Sequence, residues 1–324
     1  MAGKSDRVTK LLLASWAPNT KSSYNSYIKQ WLEYCKLNNI SDPYKATFEQ
    51  GTDFLAHLFY NKKYPYGTIA VARSALSAIL PLVEGTRFGD HPLVSKVMKG
   101  IFKEKPSLPR YTVTYDSDIL LKYLNSLPTN SQLLLDTLTK KLCTLLAILS
   151  GQRAQTIGAI NLDFHHLDPS DTKLVFYIHK VLKTTRPKFH QAPLEFWAFP
   201  ENVKLCPINC FKEYRDRTEQ IRANACPDDK QLFISYVYPH LPVKPATLAR
   251  YALSFLANAG IDVTVFTAHS TRSASTSKAN NMGVPLKEIA KAAGWTREST
   301  FQKYYNLPIS KNFGHTLLRD SAAN

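Results

Sequence analysis

The spacing of apolar residues departs from its usual pattern over one stretch of this chain, and that departure constrains the fold more than any other sequence feature. Through most of the chain, apolar residues recur three and four positions apart, which is the pattern of amphipathic helices. Around residues 160–198 the pattern alternates instead, and the stretch KLVFYIHKVLKTTRP is rich in β-branched and aromatic residues. The sequence therefore predicts a mainly α-helical protein that contains one β-hairpin or small three-stranded antiparallel sheet.

The first third of the chain is predicted to form a compact helical bundle. Helical spacing of apolar residues covers 19–37, 47–60, 68–80 and 92–103, so that four or more helices can each bury one face. The same spacing leaves six basic side chains for the outer faces of this bundle: Lys62, Lys63, Arg73, Lys96, Lys99 and Lys103.

A segment without helical spacing separates this bundle from the rest of the chain. Residues 105–117 contain two prolines and several polar residues, a composition typical of linkers. We therefore predict an N-terminal domain at 1–104 and a C-terminal domain at 118–324. The C-terminal domain is expected to begin with helices at 119–127 and 137–149.

The charge of the chain indicates a polyanionic partner. Its 41 Lys and Arg residues against 25 Asp and Glu residues give a net charge of +16. Residues 1–110 hold 16 of the basic and 8 of the acidic residues, so the excess is spread over both parts of the chain. A polyanion held by both domains fits this distribution, because Lys and Arg neutralise phosphates and release counterions. A basic surface that is simply solvated would give the same composition.

Composition also argues against several classes of protein. No apolar run approaches the roughly 18 residues that a membrane span needs, and the apolar stretch near the N-terminus is too short for a secretory signal. The five cysteines are odd in number and scattered, and Cys206 and Cys210 lack the paired spacing of a zinc site. We therefore expect reduced structural thiols in an intracellular protein with no membrane segment.

A stretch near the end of the chain holds the residues with the clearest chemical potential. His269 and Arg272 are three positions apart and so share one face of a helix. Trp295 follows, and two adjacent tyrosines, Tyr304 and Tyr305, close the stretch. A basic pair that handles a phosphate, followed by a tyrosine nucleophile, suggests cleavage of a DNA strand through a phosphotyrosine.

Two residues upstream can complete such a site. Cleavage of a phosphodiester without a metal needs cations around the phosphate and a general acid for the leaving 5′ oxygen. Arg153 lies at the end of the apolar helix in LLAILSGQRAQTI, and Lys183 lies in the expected turn of the sheet. Lys180 and Arg186 are nearby alternatives to Lys183. Taken alone, Arg153 is better explained as a helix-end charge and Lys183 as a solvated turn residue.

Together these motifs resemble the tyrosine recombinase/integrase family. H-x-x-R at 269–272, A-G-W at 293–295 and a tyrosine nine or ten residues later match the family's pattern, and S-G-x-R at 150–153 with a hairpin lysine downstream has the same order. The helix PLVSKVMKGIFKEKP resembles its counterpart in the Cre-type phage recombinase. The segments SGQRAQTI, LKTTRP, AHSTRSASTSKA and STFQKYY are most similar to recombinases of DIRS-like eukaryotic retroelements, and next to those of Crypton-type transposons.

The resemblance covers nearly the whole chain and implies both a fold and an activity. The N-terminal domain would be a SAM-like helical core-binding domain and the C-terminal domain an α+β catalytic domain, together forming a C-shaped clamp on duplex DNA. The implied activity is site-specific recombination for mobile-element integration, with cleavage to a 3′-phosphotyrosine and a free 5′ hydroxyl. The six basic residues of the N-terminal bundle would then include contacts to DNA phosphates.

The resemblance also implies a role for each site residue. Arg153 and Arg272 would clamp the phosphate, and Lys183 would protonate the leaving 5′ oxygen. His269 would assist proton transfer at the tyrosine, and Trp295 would donate its indole N–H to the phosphate. No metal or nucleotide cofactor is implied.

Two positions depart from the family pattern or leave it open. Most members carry an acidic residue three positions after the first arginine, and Thr156 stands there in this chain. The spacing from Trp295 that is common in the family selects Tyr304 as the nucleophile, whereas the DIRS-like pattern selects Tyr305. Tyr305 is slightly favoured, and both remain candidates.

The implied partners are double-stranded DNA and further copies of this chain. The tail beyond the tyrosines carries a short apolar stripe, Phe313, Leu317 and Leu318. In the family such a tail docks into the neighbouring protomer of a tetramer, and docking onto its own protomer is the alternative. A eukaryotic mobile-element origin would imply the nucleus.

Two other functions share features with this interpretation. A catalytically inactive, domesticated DNA-binding protein would keep the fold, although all the chemical positions are filled in this chain. A type IB topoisomerase would use the same chemistry without a partner site, although the helical N-terminal domain and the short tail favour a recombinase.

Overall fold

The computed structural model describes residues 6–107, 111–183 and 185–309. The chain divides into two compact units, residues 1–109 and residues 110–324. The boundary between them falls inside the segment 105–117 that the sequence predicts to be a linker.

The first unit is a helical bundle around an aromatic core. Trp31 and Phe54 are buried at its centre with their rings 5.3 Å apart, edge to face. The indole N–H of Trp31 donates to the carbonyl oxygen of Pro43 at 2.9 Å, so its one polar atom is satisfied. The helices are α1 (Asp6–Ala14), α2 (Pro18–Leu37), α3 (Phe48–Tyr60), α4 (Tyr66–Ile79) and α5 (Pro92–Glu104).

Two features of this bundle differ from the sequence prediction. Helix α1 was not predicted. Helix α4 begins at Tyr66, directly after Pro65, and not at the predicted start near Thr68. The amide of Thr68 donates to the carbonyl oxygen of Pro65 at 3.0 Å, inside the first turn. Because Gly67 is a poor helix former, propensity alone moves the expected start past it.

The second unit has a core that includes the helix at Leu135–Ser150, in which Leu138, Leu142 and Leu145 are fully buried. Its elements are α6 (Ser117–Ser126), α7 (Leu135–Ser150), α8 (Ala154–Ile157), β1 (His165–Leu167), β2 (Lys173–Phe176), β3 (Leu194–Trp197), α9 (Pro207–Ala225), α10 (Pro245–Asn258), α11 (Ser270–Asn281), α12 (Leu286–Ala293) and α13 (Glu298–Tyr304).

The predicted sheet is confirmed, and so is the mainly helical fold. The three strands run antiparallel in the order β1-β2-β3. Leu174 of β2 pairs with Phe196 of β3, and both side chains face the core, whereas the neighbouring Trp197 is exposed. Burial therefore alternates along β3, as expected for a sheet with one exposed face, whereas β2 buries Leu174, Val175 and Phe176 in succession. A long connection, residues 177–193, joins β2 to β3.

Two expectations from composition can be compared with the described residues. All five cysteines are buried and unpaired, which agrees with structural thiols. Within the part of the chain that the structure describes, no helix combines the length and the apolar character of a membrane span.

Candidate active site

The site begins where helix α7 ends. Gly151 caps this helix in the left-handed conformation, with φ of 61°, a backbone shape that favours glycine. The turn leads directly into Gln152 and Arg153, and Arg153 precedes the short helix α8. A Cβ on Gly151 would lie 3.1 Å from the methyl group of Thr276, so this turn also packs closely against α11. Arg153 is thereby fixed at a junction between helices.

Helix α11 carries the predicted His–Arg pair. His269 stands immediately before the first residue of the helix, and Arg272 lies in its first turn. The Arg272 side chain is only 1% exposed, and its Nη1 donates to the carbonyl oxygen of Gly151 at 2.9 Å. Two of the residues that the sequence singled out, Arg153 and Arg272, are therefore connected through the α7 turn.

Two aromatic rings cover the Arg272 guanidinium. Gly294, with φ of 67°, caps α12 in the left-handed conformation and turns the chain so that Trp295 points inward, where it is 7% exposed. The Arg272 Cζ lies 4.3 Å from the Trp295 ring centre and 5.1 Å from that of Tyr305. The Trp295 and Tyr305 rings are themselves 4.7 Å apart. Such contacts stabilise the cation and fix the two rings around it.

The two adjacent tyrosines have different surroundings. Tyr305 follows the last residue of α13, and its hydroxyl lies 3.2 Å from Nε2 of His269. Tyr304 ends α13, is 60% exposed and lies against the ammonium group of Lys303. Helix α13 includes Tyr304 and ends before Tyr305. Tyr305 is therefore the tyrosine that the structure brings to His269, Arg272 and Trp295.

Three buried N–H groups at this point have no hydrogen-bond partner among the described residues. They are Nε and Nη2 of Arg272 and the indole Nε1 of Trp295. Guanidinium and indole nitrogens donate only, and a buried donor without an acceptor costs about 1–3 kcal/mol, more for a charged group. The arrangement suits an anionic ligand with several acceptor oxygens, placed beside the Tyr305 hydroxyl.

The cations of the site act on one another electrostatically. His269 is exposed at the surface, yet desolvation by the surrounding protein lowers its pKa, and the charge of Arg272 lowers it further. The charges of Arg153 and Lys183 add to this lowering. Burial also lowers the pKa of Arg272, as does the charge of Arg153, while Tyr305 opposes the shift. An anion bound among these cations would relieve their mutual repulsion.

Lys183 lies in the connection between β2 and β3, as predicted. Its side chain is exposed, and the preceding Leu182 is buried and anchors the turn. The Leu182 amide donates to Oγ1 of Thr185 at 3.0 Å, and the Thr185 amide donates back to the Leu182 carbonyl oxygen at 3.0 Å. The backbone around Lys183 is thus held by this turn, while its side chain is exposed.

Thr156, which stands where most members of the family carry an acidic residue, is buried. Thr156 lies in α8 and is 3% exposed. Within the described residues, Arg153 forms no ion pair with any carboxylate. An acidic substitute that orients Arg153 is therefore absent from residues 6–107, 111–183 and 185–309.

The six basic residues predicted on the bundle lie in the first unit. Lys62, Lys63, Lys96, Lys99 and Lys103 are exposed, whereas Arg73 is half-buried. Its Nε is buried without a hydrogen-bond partner in the described part of the chain. Three of the lysines follow one another along one side of α5: Lys96, Lys99 and Lys103.

The sequence did not single out several residues that hold the site together. Gln152 is 5% exposed, and its side-chain amide donates to the carbonyl oxygen of Ala292 at 2.6 Å, joining the Arg153 turn to α12. Ser277 is buried and contacts the chain around Tyr305. Gln152 stood beside Arg153 in the motif, but nothing in the spacing of Ser277 distinguished it from the other serines of α11.

No group of three or more His, Cys, Asp or Glu side chains capable of holding a metal occurs in residues 6–107, 111–183 and 185–309. The expectation that the chemistry needs no cofactor stays a prediction.

Comparison with known proteins gives the family. Residues 122–309, more than half of the chain, match the phage integrase family. A search of curated proteins found no match. The matched segment includes every site residue described above from Arg153 to Tyr305.

Solved structures share the fold at low sequence identity. The Tn1549 transposon integrase, in complex with transposon right end DNA, is 13% identical, with a TM-score of 0.57 over 95% of this chain and 95% of its own. The XerH site-specific recombinase, bound to palindromic difH substrate in a post-cleavage complex, is 14% identical, with a TM-score of 0.53 over 86% of this chain and 72% of its own. A lambda integrase dimer bound to a COC′ core site is 17% identical, with a TM-score of 0.51 over 93% of each chain.

The chain therefore belongs to the phage integrase family. As an enzyme it is a tyrosine site-specific recombinase, a class that acts on DNA.

Proposed function

We propose that this recombinase cleaves and rejoins DNA through a 3′-phosphotyrosyl intermediate formed by Tyr305. The observation that carries the proposal is the group of three unpartnered, buried N–H donors on Arg272 and Trp295, next to a tyrosine hydroxyl that meets His269. A DNA phosphodiester supplies the anionic acceptor oxygens that these donors lack.

In the proposed cleavage step, the Tyr305 oxygen attacks phosphorus while the bond from phosphorus to the 5′ oxygen breaks. His269 accepts the tyrosine proton, and its lowered pKa favours the neutral imidazole that can do so. Lys183 gives a proton to the departing 5′ oxygen, which leaves as a hydroxyl. Attack of a 5′ hydroxyl from a partner strand reverses these transfers and rejoins the DNA.

Arg153 and Arg272 have the complementary task of stabilising charge on the phosphate. Arg272 is buried and held by the Gly151 carbonyl, so its remaining donors are oriented before the substrate arrives. Arg153 lies across the α7 turn and forms no ion pair in the described residues, which leaves its guanidinium available to the same phosphate. A pair of guanidiniums suits the additional charge of a pentacoordinate transition state.

The test compares the two tyrosines on a DNA substrate whose cleaved strand cannot be rejoined. Tyr305→Phe is expected to abolish the covalent adduct, while Tyr304→Phe is expected to retain it, because Tyr304 is exposed beside Lys303 whereas the Tyr305 hydroxyl meets His269. Mass spectrometry of the trapped peptide identifies the linked residue. An adduct on Tyr304 would overturn the assignment, and DNA binding without any adduct would favour the inactive, domesticated DNA-binding protein.

The biological role proposed here is integration of a mobile element of the DIRS-like or Crypton type, inside the cell and in the nucleus of a eukaryotic host. The sequence resemblance supports this assignment. Duplex DNA would be bound through the N-terminal domain at 1–104, with phosphate contacts among its six basic residues, and through the catalytic domain at 118–324.

A tetramer is proposed for the assembled complex. The lambda integrase with the same fold was solved as a dimer on a core site, which supports assembly of copies on DNA. The apolar stripe of the tail, Phe313, Leu317 and Leu318, lies outside the described residues.

A further inference from the structure

The chain on the C-terminal side of Tyr305 is held at two separate points. Ser277, which is fully buried in α11, donates from Oγ to the carbonyl oxygen of Tyr305 at 2.8 Å. The same Oγ accepts from the amide of Leu307 at 3.1 Å. One hydroxyl thus satisfies a backbone acceptor and a backbone donor on either side of Asn306.

The second point of attachment comes from a segment far away in sequence. The amide of Thr114 donates to the carbonyl oxygen of Pro308 at 2.8 Å, and Thr114 pairs with Ile309 as a parallel β-bridge. This attachment uses only the backbone of Thr114, because its hydroxyl is buried and has no partner among the described residues.

The segment that contains Thr114 is itself tied to the start of α11. The hydroxyl of Tyr115 donates to Oγ1 of Thr271 at 3.0 Å, and Oγ of Ser270 donates to the hydroxyl of Tyr111 at 3.1 Å. Ser270 and Thr271 are the two residues that follow His269. One short stretch, 111–115, therefore contacts the chain beside His269 and the chain beyond Tyr305.

We infer that Ser277 and the backbone of Thr114 are positioning groups that set the Tyr305 hydroxyl against His269 and the phosphate. The tyrosine needs such support because it is the residue that caps α13, and the last carbonyl groups of a helix have no partner within it. This inference rests on the proposed function, since it takes Tyr305 as the nucleophile. Both groups act through Tyr305, and neither of them touches the substrate.

The test uses Ser277→Ala and Thr114→Pro, each of which removes one attachment from the full chain. Ser275→Ala is the matched control, because Ser275 also donates from α11 to a backbone carbonyl, but to that of Ile148 rather than to the chain around Tyr305. We expect both test variants to form the covalent adduct roughly 10- to 100-fold more slowly at saturating DNA, since an error of about 1 Å in the position of a reacting group can cost 10²-fold. The control should keep nearly the full rate.

A substrate with sulfur in place of the bridging 5′ oxygen separates positioning from proton donation. A thiolate leaves without needing a general acid, so this substrate should restore cleavage by Lys183→Ala. It should not restore Ser277→Ala or Thr114→Pro, whose defect lies in the attacking group. Should one test variant fail to fold, the other decides.

The outcomes also separate this inference from the proposed function. Retention of the adduct by Tyr305→Phe would remove the nucleophile assignment and the inference with it. Loss of the adduct in Tyr305→Phe, together with unaltered rates in Ser277→Ala and Thr114→Pro, would overturn the inference alone. A rate loss that disappears at saturating DNA, or on the sulfur substrate, would also overturn it.

Discussion

Arg272 shows how one residue can combine structural and chemical roles in this site. Its Nη1 binds the carbonyl oxygen of Gly151, and its face packs against Trp295 and Tyr305. Burying a guanidinium is unfavourable unless its donors are satisfied, and the described residues satisfy only one of the three nitrogens. The free protein therefore keeps a desolvated cation whose remaining donors gain most from an anion, which is the condition for strong phosphate binding.

At the same scale, the state of His269 predicts the acid side of the pH profile. Its pKa lies below the ordinary value of 6.5, so the neutral imidazole persists to more acidic pH than in a free histidine. With DNA below saturation, adduct formation is expected to hold down to that lowered pKa and then to fall about tenfold per pH unit, because protonated His269 cannot accept the tyrosine proton. The measurement is the initial rate of adduct formation against pH.

His269→Ala provides the comparison for this profile. The variant should be slower throughout and should lack the acidic limb, because the titrating group is gone. If the unaltered protein and His269→Ala lost activity along the same acidic limb, another group would be responsible and the role of His269 would be wrong.

Among the elements, the two glycine caps show why the site needs sharp turns. Gly294→Ala would place a Cβ 2.7 Å from Oε1 of Gln191 and 3.2 Å from Nε2 of Gln152, in a backbone with φ of +67°. We expect the free energy of unfolding to fall by about 1–2 kcal/mol from the left-handed backbone alone. We also expect slower adduct formation, because the Trp295 turn and the Gln152 contact must shift. Urea denaturation and the adduct assay measure the two effects.

Gly260→Ala is the matched control for that prediction. Gly260 has φ of +81°, but a Cβ there would meet nothing within 4 Å. It should lose stability for the same backbone reason while keeping its cleavage rate. Equal cleavage rates in Gly294→Ala and Gly260→Ala would show that the Gly294 contacts do not matter for the site.

The elements also show which parts of the fold and site the sequence could predict. Helix α7 and the sheet follow from apolar period, because their buried faces are made of apolar side chains. Helix α11 has no apolar period. Its buried residues are small hydroxyl residues, Ala274 and Arg272, and they are satisfied partly by distant backbone groups such as the Tyr305 carbonyl, which accepts from Ser277. Such partners come from the tertiary structure and leave no pattern in one sequence.

The choice between the two tyrosines was open in the sequence for a related reason. It depends on where α13 ends, and helix ends are set by a few local hydrogen bonds. The Tyr305 amide still donates to the Phe301 carbonyl at 2.8 Å, but Tyr305 itself leaves helical geometry. Spacing from Trp295 could place a tyrosine near the site, but only the structure shows that the hydroxyl of Tyr305 is the one that meets His269.

At the scale of the whole molecule, the net charge of +16 must act through particular phosphate contacts if it serves DNA binding. On duplex DNA, each phosphate that a protein neutralises adds about 0.9 to the magnitude of the slope of log affinity against log salt.

The exposed lysines of α5, Lys96, Lys99 and Lys103, are the most regular basic row in the first unit. Replacing any one of them with Gln should lower the magnitude of the slope by about 0.9 if it contacts a phosphate.

Lys36→Gln is the matched control, because it removes the same charge from an exposed site of the same unit on a different helix. Slopes measured by DNA binding between 50 and 200 mM salt, roughly the range in which such effects are large, decide the matter. The α5 variants and Lys36→Gln could instead weaken DNA binding equally and leave the salt slope unchanged. The net charge would then act through long-range attraction, and the predicted phosphate contacts of the α5 lysines would be wrong.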